Sequence, residues 1–383
     1  MNRGNLERVE AFFWESFEKR GELGASLSIW EHGREILSLA GGFQDRDKQS
    51  PWTSGTPVLV WSATKGPAAA CVLHAMARHG EPLDTPVAAF WPEFAQSGKE
   101  RVTVAQVLSH QAGLAALDAP ANVLDHAEVA AALAVQAPNW PLGEGHGYHP
   151  RTFGALLDEL VRRVDGVPLA EYWQTWFAVP LGLDFWIGVP AQVLGRVAPV
   201  YPSRSSGTNP QDADFFKAFT QSASLTARAF NSPRGLSGVT AMNTPEIRQA
   251  SLPGFGGIGT ASALAKFYAM LAERGALDGL RFFDSIAPMA TTLAAGYDQV
   301  LLRQTAFAAG FMRDPVDEEG RKLRQIFGPS LAAFGQPGAG GCHAFADPEN
   351  GIAFAYVINQ MEAGVMPGPK ALGLIEALYS TGN

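Results

Sequence analysis

The chain has 383 residues, 46% of them hydrophobic and 17% charged, with a formal net charge of -8 and an isoelectric point near 5.5. That balance is globular and excludes a disordered chain, and an acidic surface argues against nucleic-acid and anionic-membrane partners. The two cysteines, Cys71 and Cys342, are too few for a disulfide framework or a four-thiolate zinc site.

In chain order, Leu6, Val9, Phe12, Phe13 and Phe17 fall at helical spacing. Met1 to Gly24 is densely charged and has no apolar core, so it reads as an amphipathic helix and not as an export signal. The expected compartment is therefore the cytoplasm. No window reaches the roughly 18 apolar residues that a membrane span needs. Ala25–Trp30 and Glu35–Ala40 read as strands joined at His32-Gly33. Val58–Trp61 leads into Ser62, and Ala68–Arg78 is an alanine-rich helix. Ala127–Val135, Thr152–Val164 and Leu169–Phe177 carry the helical pattern. Residues 200–240 are rich in Ser, Pro, Gly and Asn and read as a long irregular excursion. A helix over Thr260–Arg274 is capped by Thr260. Ala306–Met312, Gly341–Ala346 and Gly351–Ile358 read as strands, and a last helix covers Pro369–Tyr379.

Strands thus lie at both ends and helices between them. The expected fold is α/β (α+β): an antiparallel sheet built from the N- and C-terminal segments and flanked by helices, with a mostly helical inserted subdomain. The chain 1–383 reads as a single catalytic domain, with the sheet in about 1–80 and 255–383 and the helical part in about 81–254.

Several motifs fail on context. Gly254-Phe255-Gly256-Gly257-Ile258-Gly259 matches G-x-G-x-x-G, but no strand precedes it and no βαβ unit follows. Gly235-Leu236-Ser237-Gly238-Val239 lacks the last glycine of a nucleophile elbow. His146 and His149 lie three apart in a Gly/Pro-rich loop without a carboxylate, so neither a metal nor an organic cofactor is expected. Ser62-Ala63-Thr64-Lys65 is different. Residues three apart on a helix share a face, so the amine reaches the hydroxyl. The apolar neighbours Val58 to Trp61 and Ala68 to Ala70 would lower the lysine pKa and make it a proton acceptor.

Trp61-Ser62-Ala63-Thr64-Lys65-Gly66-Pro67 resembles the active-site segment of serine β-lactamase-like proteins, especially family VIII carboxylesterases and class C β-lactamases. Thr103 to Leu114, with Leu108-Ser109-His110-Gln111-Ala112-Gly113-Leu114, looks like a second hallmark. Pro141 to Pro150 resembles the loop that carries Tyr-x-Asn, and Gly335-Gln336-Pro337-Gly338-Ala339 lies where the family has Lys-Thr-Gly.

The resemblance implies Ser62 as the acylated nucleophile, with Lys65 and Tyr148 as proton-transfer groups; nearby cations would favour a Tyr148 phenolate. It implies an oxyanion hole from the backbone N–H groups of Ser62 and Ala339, and substrate contacts from Gln336, Gly338 and His149. Two departures bear on substrate: Pro150 replaces the asparagine of Tyr-x-Asn, and Gln336 and Pro337 replace the lysine and threonine of Lys-Thr-Gly. A cation and a donor are missing, which favours a neutral ester over an anionic β-lactam. Phe185-Trp186-Ile187 reads either as an acyl-pocket wall or as core. The implied protein is a serine carboxylesterase acting on a small-molecule ester, with no nucleic-acid or membrane partner and with its oligomeric state open. β-Lactamase, amidase or acyltransferase chemistry is the alternative on the same fold, and a catalytically silent binding scaffold is the alternative of another class.

Overall fold

The structure is a computed structural model that describes residues 2–204 and 212–380. After a first helix over Arg3–Lys19, strands β1 (Gly24–Glu31) and β2 (Arg34–Gly42) form the expected hairpin, and β3 (Val58–Leu59) follows. β4 (Phe185–Ile187) and β5 (Gly257–Gly259) come next, then a two-stranded hairpin of β6 (Ala276–Leu277) and β7 (Leu280–Arg281). β8 (Ala294–Tyr297), β9 (Gln304–Phe307), β10 (Met312–Arg313), β11 (Phe334–Pro337), β12 (His343–Asp347) and β13 (Ile352–Ile358) complete the set.

Eight of these form one antiparallel sheet in the order β2-β1-β13-β12-β11-β10-β9-β8. The N-terminal hairpin joins the C-terminal strands through β1 and β13, with Ala25 opposite Ile358 and Ser28 opposite Ala355.

Strand alternation gives this sheet two unlike faces. Ser28, Ala344, Ala346, Ala353 and Ala355 share one face through the register, and the helix Ala261–Ala272 packs there. Small side chains on both surfaces allow that close approach. Leu27, Ile29, Phe345, Phe354 and Tyr356 fill the other face. On that side Tyr356 hydrogen-bonds to buried Glu22, whose carboxylate pairs at 3.1 Å with Lys370 of the last helix, Pro369–Tyr379. Helices Arg3–Lys19 and Pro369–Tyr379 pack against each other.

Residues 81–254 carry helices His126–Val135, Thr152–Asp165 and Leu169–Trp173, along with shorter helices and turns. They also contain β4, which pairs with β5; β5 in turn pairs with β3 in a small three-stranded sheet. Phe185 and Ile187 are buried there, with the Phe185 ring 5.5 Å from that of Trp173, so this segment is core.

Three expectations change. Ala306–Met312 is not one strand: β9 ends at Phe307 and β10 begins at Met312, because Gly310 turns the chain at φ +82. Gly341–Ala346 starts later, at His343, because Ala339–Gly341 is a tight turn with Gly340 at φ +78. The stretch 200–240 contains two helices, Ala213–Phe219 and Leu225–Asn231, and its residues 205–211 lie outside the described residues.

Candidate active site

Ser62 lies on a 3-10 turn, Trp61–Thr64, that connects β3 to the helix Lys65–Arg78. The turn is entered through Trp61 at φ +52, a left-handed conformation that a bulky side chain rarely adopts. Thr64 over-determines it. Its hydroxyl donates to the Trp61 carbonyl at 2.5 Å and accepts the Gly257 N–H at 2.8 Å, which ties the turn to β5. Ser62 itself is half-buried, so its hydroxyl remains reachable, whereas Lys65 one turn on is fully buried.

The surroundings of Lys65 define what it can do. Nζ lies 3.3 Å from Ser62 Oγ, 3.0 Å from the Pro150 carbonyl and 2.7 Å from the Gly254 carbonyl. Among the described residues no carboxylate pairs with it, and burial pushes the amine well below its usual range. A neutral amine has two N–H groups and one lone pair. The carbonyls can only accept, so they take the N–H groups, and the lone pair is left facing Ser62. That is the arrangement of a base beside a nucleophile.

Tyr148 stands over this pair. Lys65 Nζ is 4.8 Å from its ring centroid, and the phenol lies within hydrogen-bonding reach of the Ser62 side chain. Gln336 Nε2 donates to Tyr148 Oη at 3.2 Å. Because Oη accepts from Gln336, its own proton is directed at Ser62. Burial raises the Tyr148 pKa above the ordinary phenol value. Burial thus works against the expected Tyr148 phenolate and toward a neutral Lys65 amine.

Gly338, next to the Ala339 expected to share an oxyanion hole with Ser62, packs closely on Val60, just before the Ser62 turn. A Cβ at Gly338 would lie 2.2 Å from the Val60 carbonyl, so only glycine lets the end of β11 close on the Ser62 turn. Among the described residues, neither the Ser62 nor the Ala339 N–H has a protein acceptor.

The three expected substrate contacts are placed differently. Gly338 donates its N–H to the Cys342 carbonyl at 2.7 Å. Gln336 is buried under Tyr148, with its amide engaged there. His149 is fully buried, with Nδ1 donating to the Gly147 carbonyl at 2.7 Å and Nε2 accepting the Leu114 N–H at 2.9 Å. Both ring nitrogens are occupied by the main chain and burial lowers its pKa to about 3. His343 likewise gives Nε2 to the Ile326 carbonyl at 2.6 Å and stacks on Phe327.

Other residues, given no catalytic or binding role from sequence, build the same site. His110 sits at φ +62; its carbonyl accepts the Gly147 N–H at 3.1 Å and its Nδ1 accepts the His149 N–H at 3.2 Å. Its ring packs 5.0 Å from Tyr148, so the Leu108–Leu114 motif brackets the tyrosine loop. Pro150, read as the loss of an amide, supplies a main-chain carbonyl to Lys65. The glycine run at 254–259 also acquires a role. Gly254 packs on Gly154, where a Cβ would meet the Gly254 nitrogen at 2.1 Å, and its carbonyl holds Lys65.

The Beta-lactamase family model matches residues 8–377. Esterase/beta-lactamase LipL of Mycobacterium tuberculosis is 31% identical over 348 residues, which cover 88% of this chain and 77% of that protein. A crystal structure of a family VIII carboxylesterase superposes with a TM-score of 0.85 at 33% identity, covering 98% of this chain and 97% of that one. A penicillin-binding protein homologue from Caulobacter crescentus superposes with a TM-score of 0.84 at 35% identity, covering 98% of this chain and 97% of the other. The chain belongs to the β-lactamase family and is a serine hydrolase of that fold. Among the described residues no helix is long and apolar enough to cross a membrane.

Proposed function

We propose that the protein hydrolyses short-chain carboxylic esters through an acyl-enzyme on Ser62. The observation that carries this reading is the partner set of Lys65: two carbonyls, Ser62 and no carboxylate, in full burial. Ser62 Oγ attacks the ester carbonyl carbon and passes its proton to the Lys65 lone pair. The carbonyl oxygen, now an oxyanion, is held by the N–H groups of Ser62 and Ala339. As the tetrahedral intermediate collapses, the carbon–oxygen bond to the alcohol breaks. The alkoxide takes a proton from Tyr148, and the resulting phenolate takes back the proton that Lys65 received from Ser62. Water then repeats the sequence on the acyl-enzyme, releases the acid and restores Ser62.

An ester is favoured because the position of the family lysine is held by a neutral amide that is already bonded to Tyr148. Three arginines on loops, Arg313, Arg234 and Arg204, are engaged or placed elsewhere. Arg313 donates to Thr292 at 2.7 Å and also to the Leu331 carbonyl. Arg234 lines a surface cavity with Asn122 and Glu128, and Arg204 lines another with Arg20 and Asp212. A lost charge-assisted contact is worth about 1.5–3 kcal/mol, or about 10- to 150-fold in binding. The names of the relatives, an esterase/beta-lactamase and a family VIII carboxylesterase, support the same reading. Steady-state kinetics on p-nitrophenyl butyrate and on a chromogenic cephalosporin test it. The ester's kcat/KM is expected to be larger by at least about 10²-fold; equal turnover of the cephalosporin would transfer the assignment to β-lactamase.

A further inference from the structure

Against the Tyr148 main chain lies a buried polar cluster that the reaction above does not use. Asp298 sits just past β8 and is fully buried. Its Oδ1 accepts the N–H groups of Tyr148 at 3.0 Å, Val300 at 2.9 Å and Leu301 at 2.8 Å. Its Oδ2 accepts the Tyr148 N–H at 3.1 Å and the Thr305 hydroxyl at 3.2 Å. The Thr305 hydroxyl has one proton, given to Asp298, so it accepts from His146 Nε2 at 2.7 Å. With Asp298 ionised, donation therefore runs from His146 N–H to Thr305 O–H to Asp298. Burial raises the Asp298 pKa, while the three main-chain N–H groups, which can only donate, favour its charged form.

We propose that Asp298, backed by Thr305 and His146, is the positioning residue that fixes the Tyr148 main chain and keeps its phenol as the proton donor toward Ser62. This rests on the role of Tyr148 in the proposed function. The geometry argues for it in two ways. Asp298 grips the Tyr148 N–H itself, with both oxygens, and ties it to β8 and β9 of the large sheet. The Tyr148 ring stacks 6.1 Å from Phe307 of β9, so backbone and ring take their positions from the same strand. The negative charge also disfavours a second negative charge on the phenol. The titratable or charged groups that face Asp298 are Tyr148, His146 at 4.0 Å from Oδ2, and Arg324, whose guanidinium feels its charge.

Two substitutions separate position from charge. Asp298→Ala removes both, whereas Asp298→Asn keeps an oxygen for the three amides and lets its NH2 donate to Thr305, which then turns its proton to His146. Tyr148→Phe is measured alongside, with thermal unfolding of every variant. Asp298→Ala is expected to lower kcat by about 10²-fold, the scale of a misplaced proton-transfer group, with KM for p-nitrophenyl butyrate changed by less than about threefold. Asp298→Asn should restore at least about tenfold of that loss near neutral pH. Its alkaline limb of kcat should nevertheless move to lower pH by about half a unit or more, because the phenol has lost its anionic neighbour. A folded Asp298→Ala protein with kcat within about threefold of the parent, or an Asp298→Asn protein with the parent's alkaline limb, overturns the proposal. If Tyr148→Phe itself retains full kcat, it is the role of Tyr148 that falls.

Discussion

Replacing Lys65 with methionine perturbs the site at the group on which the chemistry turns. The side chain is fully buried and methionine is of similar length, so the helix Lys65–Arg78 should keep its packing. What is lost is polar. The Pro150 and Gly254 carbonyls, now 3.0 and 2.7 Å from Nζ, would face a thioether. Each unsatisfied buried acceptor costs about 1–3 kcal/mol, so the loss approaches about 2–6 kcal/mol before the relief of no longer burying an amine. Removing a positioned base costs about 10²- to 10⁴-fold in rate, or about 3–5 kcal/mol of barrier. The two effects have different pH signatures. Folded Lys65 titrates well below its ordinary 10.5, so between those values the unfolded chain binds more protons and the stability of the native protein rises with pH. That contribution is fully present above 10.5 and is lost as pH falls through the lowered value. Urea unfolding across alkaline pH should therefore show a smaller rise for Lys65→Met than for the parent, and p-nitrophenyl butyrate kinetics should show the rate loss. A folded variant with kcat within about tenfold of the parent would refute the assignment of Lys65 as base.

Tyr148→Phe is expected to lower kcat by about 10²-fold or more, and its combination with Lys65→Met should cost less than the product of the single effects, because the groups act as one relay. Comparing the single and double variants on one ester checks this. Gly154→Ala should act at a distance. Its methyl would meet the Gly254 nitrogen at 2.1 Å and push the Gly254 carbonyl off Lys65, which should lower both kcat and Tm, as read by kinetics and calorimetry.

The sheet was largely legible because its strands alternate and its terminal hairpin has an evident turn at His32-Gly33. The break between β9 and β10 was not, because Ala306–Met312 is apolar throughout and only the backbone of Gly310 marks the turn. The Ser62-Lys65 spacing places both groups on one turn, which local geometry dictates. The residues that position them come from far along the chain and have no local signal. Gly254 reaches Lys65 through a carbonyl, which any residue type possesses. Asp298 looks from sequence like an ordinary loop aspartate, and only the fold shows it gripping Tyr148. His149 misled for the converse reason: a histidine beside the tyrosine suggests chemistry, but both of its nitrogens are occupied by the main chain. The glycine run at 254–259 packs closely against Gly154, Thr64 and Phe185, a role that its spacing does not signal.

The central claim is that Ser62 is the acylated nucleophile, and covalent labelling tests it most directly. A fluorophosphonate should add one phosphonyl group with loss of fluoride, and peptide mapping should place the added mass on Ser62. Labelling and ester turnover should disappear together in Ser62→Ala at unchanged Tm. Label carried by another serine, or a Ser62→Ala protein that still turns over p-nitrophenyl butyrate at the parent's rate, would contradict the account.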